Sequence, residues 1–393
     1  MDNISGRIRS IDAFRAVTML LMIFVNDMDS MQHIPKWIQH ADETDDALGF
    51  ADIIFPAFLF IVGLSIPFAF QKRASHGDNR IPLRIITRSF LLILAGFFLA
   101  NVDIYNTKSA LLSRPVWESL MIISFFFIML DYRKEASAWG RYLQGFGILL
   151  LGILSAIYKS NDPVHPWLHF TWWEILGLIG WSYLVCAFIY HWSKGSVWIQ
   201  VIAWLFFVLF NLDFHAGWLD FLEPVSKHVW IAGNGAMQAF TMAGVSVAVL
   251  YIHLEEKKNL KLFFTGMIVT AVILLNIGFI VRDITGGISK SNDSPAWVLI
   301  CTAICLVVYA AFVFIVDIRG KYNWFKFAEP AGAGAFTCYM VAALYYPLHV
   351  LARLDLPEYL DEGTGGLIKA LIFAFAVVWV TALLKKINIR LKI

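Results

Sequence analysis

The chain has 393 residues, of which 59% are hydrophobic, 16% aromatic and only 15% charged, a balance that excludes an ordinary soluble globular domain. A formal net charge of +2 excludes the basic excess that nucleic-acid binding demands. No polar stretch is long enough to bury a core of its own, so residues 1–393 read as one membrane domain with short tails at 1–9 and 386–393.

A bilayer core takes about 20 apolar residues per helix, and runs of that kind recur from end to end. Expected spans are 10–28, 50–70, 81–100, 115–130, 139–158, 170–190, 196–212, 234–253, 260–281, 295–316, 328–350 and 365–384. The fold class expected is therefore all-α: a polytopic membrane helix bundle of about twelve transmembrane helices. The opening MDNISGRIRS and its apolar run look like a signal peptide, but the end of the run, VNDMDS, lacks a small-x-small cleavage site, so it reads as a retained first span.

Within that first span, Asp12 and Arg15 lie three residues apart on one helical face, where they can pair on entering the membrane. Asn26 and Asp27 close it, placing an amide and a carboxylate at the edge of the apolar slab, where an amide can donate to a developing oxyanion or a sugar hydroxyl; a helix end meeting water is the plainer account. The loop that follows carries His33, His40 and the acidic tract Asp42, Glu43, Asp45 and Asp46. An imidazole titrates near neutral pH and can take a proton from an attacking amine or alcohol; a solvated loop histidine is the plainer account. The acidic tract reads either as an attractor of cationic amines or as solvated loop charge. Asp52 opens the second span, where it can cap the helix, orient His40 or bind a cationic amine. Arg88 lies about a turn inside the third span, and such a buried cation can meet a cytoplasmic anion such as a nucleotide phosphate or snorkel to the interface.

Further along, PVHPWLHFTWW holds Asp162's neighbours His165 and His169 in an H-x3-H spacing that suits a metal on a helix. Pro166 between them argues against a shared helical face, so they read as interfacial belt residues and no metal is expected. The four cysteines, Cys186, Cys301, Cys305 and Cys338, fall inside apolar runs and read as packing residues without disulfides. Alternate loops that include the termini gather 22 of the 31 Lys and Arg residues, against nine on the other side. Both termini are therefore expected to be cytoplasmic, with the His40 loop facing outward across the inner (plasma) membrane.

The opening stretch also resembles a known family. RSIDAFRAVTMLLMIFVND resembles the Arg-Ser-Leu-Asp-x-x-Arg-Gly first core helix of the heparan-alpha-glucosaminide N-acetyltransferase family, and His40-Ala41 leading into FADIIFPAFLFIVG resembles its His-Ala loop and the helix after it. Looser likenesses run through Arg88-Ser89 to Gly96, from Lys290 through Pro295-Ala296-Trp297-Val298-Leu299, and at Asp317-Ile318-Arg319-Gly320. The resemblance implies a membrane enzyme that moves an acetyl group from cytoplasmic acetyl-CoA to an amino sugar or glycan on the other side of the bilayer. It implies His40 as catalytic residue, Asn26 as its neighbour and Asp52 as support, with Asp12, Arg15 and Arg88 lining the donor's path. His40 acts either as general base or as acetyl carrier. Two family elements depart here, to Gly177-Leu178 and to Gly332-Ala333-Gly334-Ala335, and a helical pair near 115–158 is inserted. Those departures leave the acceptor open and keep two other classes in view: a sugar or lipid transporter or flippase, and a noncatalytic membrane partner. A homodimer is compatible with either reading.

Overall fold

The computed structural model describes residues 8–29, 31–74, 77, 80–132, 137–219, 221, 231, 233–353 and 357–391. Most of the 1–9 tail, and Arg7, Arg133, Lys134, Lys227 and Lys392 from the charge count, lie outside them. The described residues form helices and no strands: α1 (Arg9–Met28), α2 (Ala51–Ala74), α3 (Ile81–Asp103), α4 (Arg114–Met129), α5 (Ser137–Ala156), α6 (Ile175–Trp192), α7 (Val197–His215), α8 (Ala236–Glu256), α9 (Leu260–Arg282), α10 (Pro295–Phe312), α11 (Glu329–Ala333), α12 (Ala335–Ala352) and α13 (Gly363–Lys386).

Among these, nine helices are long and apolar enough to cross a bilayer: α2, α3, α6 to α10, α12 and α13. The expected spans that coincide with α1, α4 and α5 are helical as well. Lipid contact explains the outer helices. Only 17% of the apolar stretch of α7 and 22% of that of α9 is buried in the protein, and large side chains such as Phe206, Ile268, Val272 and Ile280 point outward. Water would oppose so large an apolar surface, whereas hydrocarbon accepts it.

Two expected spans differ from the helices observed. The run 328–350 breaks at Gly334, whose backbone (φ −135°, ψ 48°) leaves the helical region and separates α11 from α12. The break lets the Gly332 backbone lie against α1, where an added Cβ would sit 2.7 Å from the Asp12 carbonyl oxygen. The run 170–190 becomes helical only at Ile175, because the Glu174 side chain caps α6 by accepting from Leu176 N–H at 2.9 Å. The segment before it is held instead by Asn101 at the end of α3.

At the centre, α2 packs along α8 and α1 packs against α2, α11 and α13. The α2–α8 crossing is backbone to backbone: a Cβ at Gly63 would fall on the Thr241 carbonyl oxygen, and one at Gly244 on that of Phe60. Small residues at such a crossing permit close approach in lipid, where apolar burial supplies no drive between helices. All four cysteines are buried free thiols on helices.

Gly63→Val is therefore expected to cost more than the roughly 1–3 kcal/mol of ordinary overpacking, because the obstacle is backbone, and to abolish monodisperse folded protein in detergent size exclusion. Gly266→Ala, on an α9 face with nothing within 4 Å of the added Cβ, is expected to melt within about 1 kcal/mol of wild type, on the stable side.

Candidate active site

Asp52 joins the two sequence regions that build the site. Pro56 lacks an N–H, so the Asp52 carbonyl four residues earlier has no intrahelical donor. Trp297 fills the gap, donating its indole N–H to that carbonyl at 3.1 Å from a fully buried position edge-on to Phe240. The start of α10 is thereby keyed to the start of α2. Ser294 caps α10 by accepting from Trp297 N–H at 3.3 Å.

The Asp52 side chain, 1% exposed, organises the loop above it. One carboxylate oxygen lies 2.7 Å from His40 Nδ1, and the other accepts the backbone N–H groups of Ala41 at 3.0 Å and Gly49 at 2.9 Å. An ionised carboxylate only accepts, so His40 donates from Nδ1 and its neutral ring keeps the lone pair on Nε2. Of the roles open to Asp52 in the sequence, its contacts are those with His40 and the loop. His40 itself is partly open, with 27% of its side chain exposed.

A third group arrives from 250 residues away. Lys290 Nζ lies 3.0 Å from His40 Nδ1 and 3.2 Å from Nε2, spanning the edge of the ring between the nitrogens. Burial pushes the Lys290 ammonium below its ordinary range, against the opposing pull of the Asp52, Asp29 and Asp293 carboxylates. Asp29 Oδ1 stands 3.9 Å from Nε2 on the exposed side.

The loop that carries Lys290 is itself anchored. Asp46 accepts from Arg282 Nε and from Ile288 N–H, both at 2.7 Å, and these bonds hold its carboxyl below the usual range. Gly287 (φ +103°) makes the approach possible, since a Cβ there would meet Asp46 at 2.9 Å. One member of the acidic tract is thus a clamp rather than free loop charge. On the other side, Asn211 Nδ2 donates to the Asp293 carbonyl at 3.1 Å, and Asn234 Nδ2 donates to the Asp293 carboxylate at 2.9 Å. Burial raises the Asp293 carboxyl to about 6, with the Asn234 bond opposing.

Arg15, Asp12 and Arg88 gather elsewhere, around a cavity of about 1100 Å³ that also takes in Ser65, Lys72 and Tyr339. Arg15 reaches the Asp12 carboxylate and the Gly332 carbonyl, each at 3.4 Å, and the Ser65 hydroxyl. Arg88 lays its guanidinium over the Tyr183 ring, 4.5 Å from the centroid, and its buried Nε has no hydrogen-bond partner among the described residues. A buried charged donor without an acceptor suits an anionic ligand. The cavity runs from Lys72 at the end of α2 up to Phe58, six residues from Asp52, or about 9 Å of helix rise. It ends below the His40 cluster without including it.

Asn26 is exposed on the last turn of α1, four residues past Met22, the last α1 residue on the cavity wall. His33 is engaged at 2.9 Å with Glu362, beside the start of α13. Lys290, Trp297 and Asp46 escaped the sequence reading as site residues. Lys290 and Trp297 stand in a recognised late motif, but no local spacing could tie them to His40.

No family model matches the chain. Among curated proteins, mouse heparan-alpha-glucosaminide N-acetyltransferase is 33% identical over 99 residues, which is 25% of this chain and 14% of that protein. The human protein of the same name is 36% identical over 97 residues, 24% of this chain and 14% of its own length. The match thus spans about a seventh of the relatives' length, and over a quarter of its own length the chain is related to an N-acetyltransferase.

Asp293 gives the site's support a pH signature. Between the ordinary carboxylate pKa, about 3.9, and about 6 the folded state retains a proton that the unfolded state has lost, so this group's contribution to stability falls as pH rises through that window. Asp293→Asn keeps a residue that tolerates its positive φ of 53°. Subtracting its melting curve from that of wild type is expected to reveal this downward slope between about pH 4 and 6 and a plateau above it.

Proposed function

We propose that the protein is a transmembrane acetyltransferase that carries an acetyl group from cytoplasmic acetyl-CoA to an amine on an amino sugar or glycan at the opposite face of the inner membrane. The observation that carries this reading is the pairing of an oriented His40–Asp52 dyad with a cation-lined cavity that ends about two helical turns below it. Twelve crossings with both termini cytoplasmic put the Arg15, Lys72 and Arg88 end toward the CoA pool.

In this reading the phosphates of the donor meet Arg88 and Lys72, and the thioester arm lies along Met19, Met22 and Phe58 toward the dyad. The acceptor amine attacks the thioester carbon while His40 Nε2 takes its proton. The C–S bond breaks as the C–N bond forms, and the proton passes from His40 to the departing thiolate, giving the amide and free CoA. Asp52 holds the imidazole in the tautomer that keeps Nε2 basic. Lys290 offers a positive charge to the oxyanion. The exposed Asn26 amide is assigned to the acceptor's hydroxyls. In the acetyl-carrier variant His40 Nε2 attacks first, and kinetics become ping-pong.

The cavity and the helix break at Gly334 on its wall are also features that a transporter would use. Solute flux in proteoliposomes that lack acetyl-CoA would favour that second reading.

Transfer of labelled acetyl from acetyl-CoA to glucosamine or glucosaminides by purified protein is expected for wild type, and to fall about 10²- to 10⁴-fold in His40→Ala and Asp52→Asn. Equal transfer by His40→Ala would remove His40 from the chemistry, and no transfer by wild type to any amino sugar would remove the acceptor class. CoA is expected to raise the melting temperature of wild type, and Arg88→Gln to weaken CoA binding about tenfold or more in the same assay. An unchanged CoA response in Arg88→Gln would place the donor elsewhere.

A further inference from the structure

The loop between α5 and α6 lies at the same end of the bundle as His40, because the Tyr190 ring near the far end of α6 packs on Phe70 near the far end of α2. The loop is well anchored. Asn106 N–H donates to the Lys159 carbonyl at 2.9 Å, and Ser160 N–H donates to the Pro166 carbonyl at 3.0 Å. The fully buried Asn101 amide bonds both backbone groups of His169, donating to its carbonyl at 3.1 Å and accepting its N–H at 3.3 Å.

Pro166 does prevent a helix here, yet the folded-back loop achieves what a helical H-x3-H would. The His165 and His169 rings stack at 4.9 Å, and one ligand atom from each of Asp162, His165 and His169 falls within 4.8 Å of the other two. Asp162 Oδ1 accepts the Val164 N–H at 2.8 Å, which turns Oδ2 toward the two rings. Oδ2 then lies 3.1 Å from His165 Nδ1 and 3.3 Å from His169 Nε2.

The hydrogen-bond pattern shows what these three groups lack. His169 Nδ1 sits 2.9 Å from the Trp167 carbonyl, which only accepts, so Nδ1 carries a hydrogen and the neutral ring turns its Nε2 lone pair toward the carboxylate. Two lone pairs facing each other at 3.3 Å are reconciled by a proton or by a metal cation between them. A backbone carbonyl on the far nitrogen is also the usual outer support of a metal-bound histidine. Tetrahedral Zn²⁺ with bonds of about 2.0–2.2 Å sets its ligand atoms about 3.3–3.5 Å apart. The separations of 3.1 and 3.3 Å are close to that edge.

We propose that Asp162, His165 and His169 bind one divalent transition-metal ion of the Zn²⁺ class, with the fourth position open to water on the exposed side of His165. The ion cross-links the loop to itself and, through Asn101, to the end of α3. The site is independent of the His40 cluster and shares no residue with it.

The test uses the full chain in detergent, tag removed and stripped with chelator, titrated with Co²⁺ and then Zn²⁺. One equivalent of Co²⁺ is expected to give the visible d–d absorption of a tetrahedral site, to be displaced by Zn²⁺, and to be lost in His169→Ala and Asp162→Asn, while His33→Ala binds as wild type. Zn²⁺ is also expected to raise the melting temperature of stripped wild type but not of Asp162→Asn, which keeps the acceptor for Val164 and checks that the loop still folds. The absence of a stoichiometric tetrahedral Co²⁺ spectrum in wild type overturns the proposal in favour of a proton-bridged His–Asp cluster. Binding that persists in both His169→Ala and Asp162→Asn overturns it as well, by locating the metal elsewhere.

Discussion

The structure turns on one residue held from two directions. The Asp52 backbone carbonyl, left without a helical donor by Pro56, is claimed by Trp297, while its carboxylate is claimed by His40 and two loop N–H groups. Neither set of bonds would suffice alone. The indole bond fixes α10 against α2, and the carboxylate bonds fix the loop above α2, so His40 and Lys290 share a location although they belong to distant segments. A buried carboxylate with three good donors is well satisfied, and removing any one of them leaves charge that the apolar surroundings cannot solvate.

The surrounding bundle makes that arrangement stiff. The α2–α8 crossing brings backbone against backbone at Gly63 and Gly244, and the outer helices α7 and α9 present most of their surface outward. Close packing without a hydrophobic drive is what helices in lipid rely on. Two sets of polar groups lie along the inner helices: the dyad cluster at one end, and the Arg15, Ser65 and Arg88 wall of the cavity toward the other. An acyl donor and an acceptor entering from opposite ends would meet between them, which is why the proposed transfer is favoured over reactions confined to one face. Over the short region that can be compared, the relatedness to an N-acetyltransferase points the same way.

Several features that look like ordinary loop chemistry turn out to be structural. Asp46 belongs to an acidic tract that resembles an electrostatic lure, yet it clamps the loop bearing Lys290 through Arg282 and Ile288. Asn101, Asn211 and Asn234 do comparable work at the ends of α3 and α7 and before α8, the first two donating to loop carbonyls and the third accepting the first N–H of α8. Amides suit this task because they donate and accept without the desolvation cost of a charge.

By itself the sequence determined that the chain is a bundle of apolar helices, where most of them lie, that Asp12 and Arg15 share a face, and that His40 and Asp52 are the groups to watch. Each of those follows from local quantities: the length of an apolar run, a three-residue spacing, a block such as FADIIFPAF. It misjudged 328–350 as one helix and 170–174 as helical, because the break at Gly334 serves the approach of Gly332 to α1 and the segment before α6 is bonded to α3. Only the tertiary structure decided that Lys290 sits on the His40 ring, that Trp297 takes the carbonyl freed by Pro56, that Arg88 lines a cavity with its Nε unbonded among the described residues, and that a proline-broken H-x3-H converges on one carboxylate. All of these are contacts between segments far apart in the chain, set by how helices pack rather than by what any one stretch prefers.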